Sequence, residues 1–242
     1  MALPRLKTVI TRERFYKTAV VLFFHGEEGS AQAVKDNLKS LLLKNFDFDH
    51  IRVIYPQAPE IPYTIEGKQL RSVWFDRKTY SPTCPEQMDS IERSCSLVKQ
   101  LVNDLVTSGI RKERIVLGGL DMGAQLAMHL GYRYLPEVAG IFGLSSHLSP
   151  TSTVYHHILK QKQANKDVKF PKLLLCNDHE DRKVTFKWAS LTAECFMDLD
   201  IESEFQVYYG TEEGVSLYEL VNLRDWILDV LPDEKLDTKN KK

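Results

Sequence analysis

Gly119-Leu120-Asp121-Met122-Gly123 is the stretch whose reading decides the fold. It has the form of the tight strand-to-helix turn G-x-S-x-G, in which two glycines let a strained turn present one side chain above a sheet. Both flanks agree with that form. Ile115-Val116-Leu117-Gly118 has the continuous apolar character of a strand covered on both faces, and the run from Ala124 to Leu130 opens a helix. The central residue, however, is Asp121, where the pattern calls for a hydroxyl.

Working outward, apolar runs alternate with amphipathic stretches, the signature of a mostly parallel central sheet with crossover helices on both faces. Strands are predicted at 19–24, 51–55, 115–118, 138–144, 172–176 and 205–209, and helices at 31–43, 86–108, 124–134, 184–199 and 216–231. In the second helix Met88, Ile91, Cys95, Val98, Val102 and Leu105 follow a three- and four-residue spacing that makes one buried stripe. Pro85 is expected at its first position. The polar excursion 151–172 has room for a short helix at 154–162. Residues 1–17 read as a basic N-terminal leader, 18–231 as the single α/β domain and 232–242 as a disordered polar tail.

With 242 residues, 43% hydrophobic and 27% charged, the chain suits one soluble domain with a sizeable core. A net charge of −1 gives no electrostatic case for nucleic acid, and no apolar run predicts stable membrane insertion. Cys84, Cys95, Cys176 and Cys195 are too widely spaced for a zinc site or a disulfide framework, so free thiols and a cytoplasmic home are expected. His156-His157 lacks ligand spacing, and Gly118-Gly119 is not followed by the Lys-Ser/Thr of a phosphate loop. No cofactor or metal is expected.

Four segments, the turn among them, make the resemblance specific. Phe23-Phe24-His25-Gly26, Trp74-Phe75-Asp76, Gly118 to Ala124, and Leu144-Ser145-Ser146 resemble the signature segments of acyl-protein thioesterases and lysophospholipase-like carboxylesterases. Asn45 to Ile51, Pro85-Glu86 and Ala127 to Leu130 place the likeness closest to the lysophospholipase-like branch. The resemblance spans about Ala19 to Leu231 and implies an α/β-hydrolase fold with its pocket at the carboxyl edge of the sheet.

It also implies where the catalytic positions fall. The serine of the family falls at Asp121. The acid segment, of the form H-G-x-x-D-x-x-V, corresponds to Asn177 through Val184 and puts the acid at Asp181. The histidine segment, Y-x-G-x-x-H, corresponds to Tyr208-Tyr209-Gly210-Thr211-Glu212-Glu213 and puts Glu213 where the base should be; no histidine occurs after His179. Glu27 and Met122 take the positions whose backbone N–H groups form the oxyanion hole, and Trp74 is expected to wall the site or its supporting core. His25 is expected to orient the entry loop rather than act as a base.

Two of three triad positions are therefore substituted. A carboxylate attacking an ester would give an anhydride, and its charge opposes the oxyanion it must create. Losing both serine and histidine should remove ~10⁴–10⁶-fold of rate. These residues point to a catalytically impaired pseudohydrolase binding a lipid, an acylated protein or a basic protein segment. Two alternatives come with the scaffold: an active carboxylic-ester or palmitoyl-protein hydrolase, and an Asp-nucleophile hydrolase of the dehalogenase or epoxide hydrolase type. The latter needs a histidine-activated water that this sequence does not place. Convergence of Asp121, Asp181 and Glu213 should raise a pKa, recruit a hard cation such as Ca²⁺ or Mg²⁺, or be neutralised by Arg182, Lys183 or water.

Overall fold

The computed structural model describes residues 4–11, 17–27, 29–210 and 214–234. Seven strands form the main sheet in the order β1-β3-β2-β6-β7-β8-β9: β1 (Thr8–Ile10), β2 (Ala19–Phe24), β3 (Ile51–Pro56), β6 (Ile115–Leu120), β7 (Gly140–Leu144), β8 (Lys172–Asp178) and β9 (Ser203–Tyr208). All pairings are parallel except that of β1 with β3. A separate hairpin, β4 (Glu60–Tyr63) and β5 (Gln69–Ser72), stands apart from the sheet.

Side-chain alternation along β2 shows how the layers are built. Ala19, Val21 and Phe23 face one apolar cluster, and Val20, Leu22 and Phe24 face the other. The first cluster is closed by α1 (Ala31–Leu42) and α6 (Leu217–Val230). The second is closed by α2 (Met88–Thr107), α3 (Met122–Arg133), α4 (Thr153–Ala164) and α5 (Phe186–Asp198). Every residue of β2 is buried, which is why its sequence is unbroken apolar rather than alternating. Each such Val, Leu or Phe contributes about 1.5–3 kcal/mol of burial. The single α/β-hydrolase domain expected from the sequence is present.

Several sequence expectations need correction. Thr8–Ile10 is not part of a leader outside the domain, because its three β-branched residues pair with the outer edge of β3 as strand β1. Lys17, also assigned to that leader, is buried and donates to Phe48 O (2.6 Å) and Asp49 O (3.0 Å). Met1 to Leu3, Arg12, Arg14 and residues 235–242 of the tail lie outside the described residues. At the start of that tail, Pro232 O accepts from Arg114 Nη2 (2.9 Å), and Glu234 pairs with Arg111. Helix α2 begins at Met88, so Pro85 precedes it instead of occupying its first position. The four cysteines are free thiols. Among the described residues no helix is long and apolar enough to cross a membrane.

The order β3-β2-β6-β7 contains the reversal that matters. The chain steps outward from β2 to β3, then returns to β6 and steps the other way. Loops after β2 and β6 therefore diverge at their carboxyl ends and leave a crevice, the place where open α/β sheets bind ligands.

Candidate functional site

Asp121 joins β6 to α3 with φ 44° and ψ −115°. A non-glycine residue there costs about 1–3 kcal/mol, so its surroundings must hold it in place. They do so through close backbone approach. A Cβ on Gly119 would lie 2.1 Å from Phe24 O, and one on Gly123 would lie 2.5 Å from both Phe24 O and His25 O. Asp121 N donates to Leu144 O (3.1 Å), while Asp121 O accepts from Ser146 Oγ (2.8 Å) and Gln125 N (3.1 Å). The side chain is buried at the N-terminus of α3, where the helix dipole favours an anion.

Around it the loops bring charges of both signs together. Lys183, on the loop after β8, places Nζ 3.2 Å from Asp121 Oδ2 and 3.8 Å from Glu27 Oε2. Glu27 also pairs with Arg77 Nη1 (3.3 Å) and accepts from Tyr63 on β4. Arg77 Nη2 donates to Gln125 Oε1 on α3 (3.0 Å), fixing the guanidinium. Asp181 is turned to its own loop: Oδ1 accepts from Lys183 N (2.8 Å) and Val184 N (2.9 Å). A cavity of about 360 Å³ opens among Glu27, Asp121, Asp181 and Lys183 on the polar side and Val34, Leu120 and Val184 on the apolar side.

Each described histidine near the sheet's working edge has another task. His25 Nδ1 donates to Gly26 O (2.8 Å) and Nε2 accepts from Ala58 N (3.0 Å), which fixes a neutral ring that shapes the entry loop. Burial lowers its pKa. His129 pairs with Glu86 (3.1 Å), whose Oε2 accepts from Thr153 N (3.0 Å), tying α3 to the starts of α2 and α4. His147 packs on Trp188 with ring centroids 5.0 Å apart. Burial, with Arg77 adding to it, drops His147 to about 4, so it is neutral at pH 7. His179 is sandwiched between Tyr209 (5.4 Å) and Phe186 (5.1 Å). Among the described residues no imidazole hydrogen-bonds to Asp121.

Of the residues named from sequence, Asp121, Asp181 and Glu27 line one cavity. Met122 is fully buried as the first residue of α3, its N–H at the open end of the helix. Trp74 does not line this cavity. Its indole N–H donates to His25 O (2.9 Å) and its ring packs edge-on to Phe24, so it braces the entry loop from the core. Glu213, with Glu28 and Glu212, lies outside the described residues. Arg77 and Tyr63 join the site without a motif of their own. Arg77 follows Trp74-Phe75-Asp76 directly, and that adjacency was the available signal. Tyr63 sits on a hairpin too polar to read as strand.

One buried acid near the site sets a pH dependence. Glu219, in the capping box of α6, is held up at about 8 by burial, with Asp178 and Asp181 adding to the effect. The folded protein therefore retains a proton that the unfolded chain loses near 4.5. Stability is full below that value and declines as pH rises toward 8, by up to about 1.4 kcal/mol per pH unit. Thermal unfolding at pH 5.5 and 7.5 should show this decline in the wild type, and Glu219→Gln should flatten it.

Comparison with known proteins is consistent with this geometry. Residues 6–228 match the family model described as Phospholipase/Carboxylesterase. Lysophospholipase-like protein 1 of Mus musculus is 36% identical over 217 residues, covering 90% of this chain and 89% of that protein. Acyl-protein thioesterase 1 homolog 2 of Dictyostelium discoideum is 27% identical over 216 residues, covering 89% and 94%. The crystal structure of Zea mays acyl-protein thioesterase 2 shares the fold with a TM-score of 0.78 at 22% identity, covering 93% of this chain and 99% of that one. The chain belongs to the phospholipase/carboxylesterase family, alongside lysophospholipase-like and acyl-protein thioesterase relatives.

Proposed function

We propose that this protein is a family member that has lost hydrolysis and kept the cavity, serving to bind an acylated protein, a lipid or a basic protein segment. The observation that carries this reading is the ion pair between Asp121 and Lys183 at the elbow, with no imidazole hydrogen-bonded there among the described residues. Acyl transfer needs a neutral nucleophile whose proton an adjacent base removes and then hands to the leaving group. A carboxylate fixed by an ammonium has no proton to give, and its attack on an ester would have to form a mixed anhydride that lies uphill of the ester. The N–H groups of Glu27 and Met122 could still face a ligand oxygen, but Asp121 and the Glu27 side chain set negative charge where an oxyanion would form.

The purified protein should show no labelling by a fluorophosphonate probe and no turnover of thioesters or p-nitrophenyl esters above the uncatalysed rate. Robust turnover abolished by Asp121→Ala would establish an enzyme instead. Turnover of alkyl halides or epoxides would establish the Asp-nucleophile chemistry.

A further inference from the structure

Asp121 is shielded from water and only partly compensated. The residue is 6% exposed, and neither carboxylate oxygen accepts a hydrogen bond among the described residues. Its compensation is the Lys183 ammonium beside Oδ2, an ammonium also drawn toward Glu27. A carboxylate has about four lone-pair sites, and among the described residues Oδ1 has no donor. The neighbouring acids are better served. Glu27 has Arg77 and the Tyr63 hydroxyl, and Asp181 has two backbone N–H groups.

Beyond these charges most of the cavity is apolar, lined by Ala33 and Val34 of α1 with Leu120 and Val184, and Asn37 and Ser145 add two neutral polar groups. A buried carboxylate with one cation on one oxygen, in a cavity lined mostly by hydrocarbon, selects a ligand with a donor-rich cation on a hydrocarbon stem. The structure already holds one such group there. Lys183 reaches in from the loop after β8, its side chain 36% exposed and its ammonium also near Glu27.

We propose that this cavity binds a primary alkylammonium, with the ammonium on Asp121, the hydrocarbon along Val34, Leu120 and Val184, and Lys183 acting as an internal competitor for the same carboxylate. The inference rests on the binding reading of the site and gives its ligand a charge. That charge is opposite to the carboxylate an acyl-hydrolysing site releases. An anionic head would meet Asp121, Glu27 and Asp181, while Arg77 and Lys183 are already engaged by two of them.

The test is calorimetric titration of the 242-residue protein with n-octylammonium and, separately, with octanoate. Neither probe can be hydrolysed, so the result is independent of the turnover assays. Octylammonium should bind the wild type at least tenfold more tightly than octanoate does. Lys183→Met should tighten octylammonium by a further tenfold, because the internal competitor is gone, and Asp121→Asn should weaken it tenfold or more. Lys183→Gln carries the same comparison if Lys183→Met does not fold. Equal or preferential binding of octanoate, absence of octylammonium binding to the Lys183 variants, or indifference to Asp121→Asn would each overturn the proposal.

Discussion

Asp121→Ser combined with Glu213→His raises ester hydrolysis by at least about 100-fold over the wild type, whereas Asp121→Ser alone stays within about tenfold of it. The asymmetry follows from the chemistry of the triad, in which a serine without its base retains only oxyanion-hole and binding contributions. The elbow is ready to receive the hydroxyl. Its backbone has the strained form, Asp181 lines the same cavity, and Lys183 retains Glu27 as a partner once Asp121 is gone. Position 213 follows three residues after Gly210 and four before α6 begins at Leu217, the frame in which the resemblance to the family puts its histidine. Initial rates on p-nitrophenyl butyrate, with fluorophosphonate labelling of the introduced serine, measure both outcomes. A fully active single variant would show that the base comes from elsewhere than position 213.

Gly119→Ala should be the most damaging single-methyl change in the site region, costing about 3–5 kcal/mol. Gly119 pairs with Phe24 across the β2–β6 ladder, and an added Cβ would sit 2.1 Å from the Phe24 carbonyl oxygen. No side-chain rotation relieves a clash with backbone, so the two central strands must part. For a domain of this size the midpoint of thermal unfolding should fall by about 10 °C or more. Gly26→Ala is the internal control. Its Cβ would meet Asp121 Cβ at 3.5 Å, an ordinary contact, and the midpoint should move by only a few degrees. Scanning calorimetry of the two variants checks both; similar losses would mean that the close approach at Gly119 is not what holds the elbow.

The central strands were legible because burial on both faces leaves an unbroken apolar signature, as in Ala19–Phe24. Strands β4 and β5 were not, since Glu60–Tyr63 and Gln69–Ser72 are largely exposed and carry no such run. β1 hid for a related reason: three residues in a basic segment become a strand only because β3 offers an open edge. At the site, Asp121, Asp181 and Glu27 could be placed by motif, because local chain geometry fixes where they stand. Lys183 follows from the sequence as a counter-charge to these acids, but its pairing with Asp121 in particular, and the Arg77–Glu27 pair, could not be read, as long side chains from separate loops meet only in the folded molecule. Trp74 was recognised as near the site, yet its aim toward His25 O depends on a hydrogen bond that no spacing predicts.

The φ of 44° at residue 121 belongs to the mount and not to the side chain that it carries. Its contorted pose is imposed by the strand beneath and the helix beyond, with Gly119 and Gly123 pressed against Phe24 and His25. Whatever amino acid occupies this mount is pointed into the same hollow. The scaffold thus offers interchangeable heads, and a lineage can trade one reactive or recognising group for another there without rebuilding its foundations.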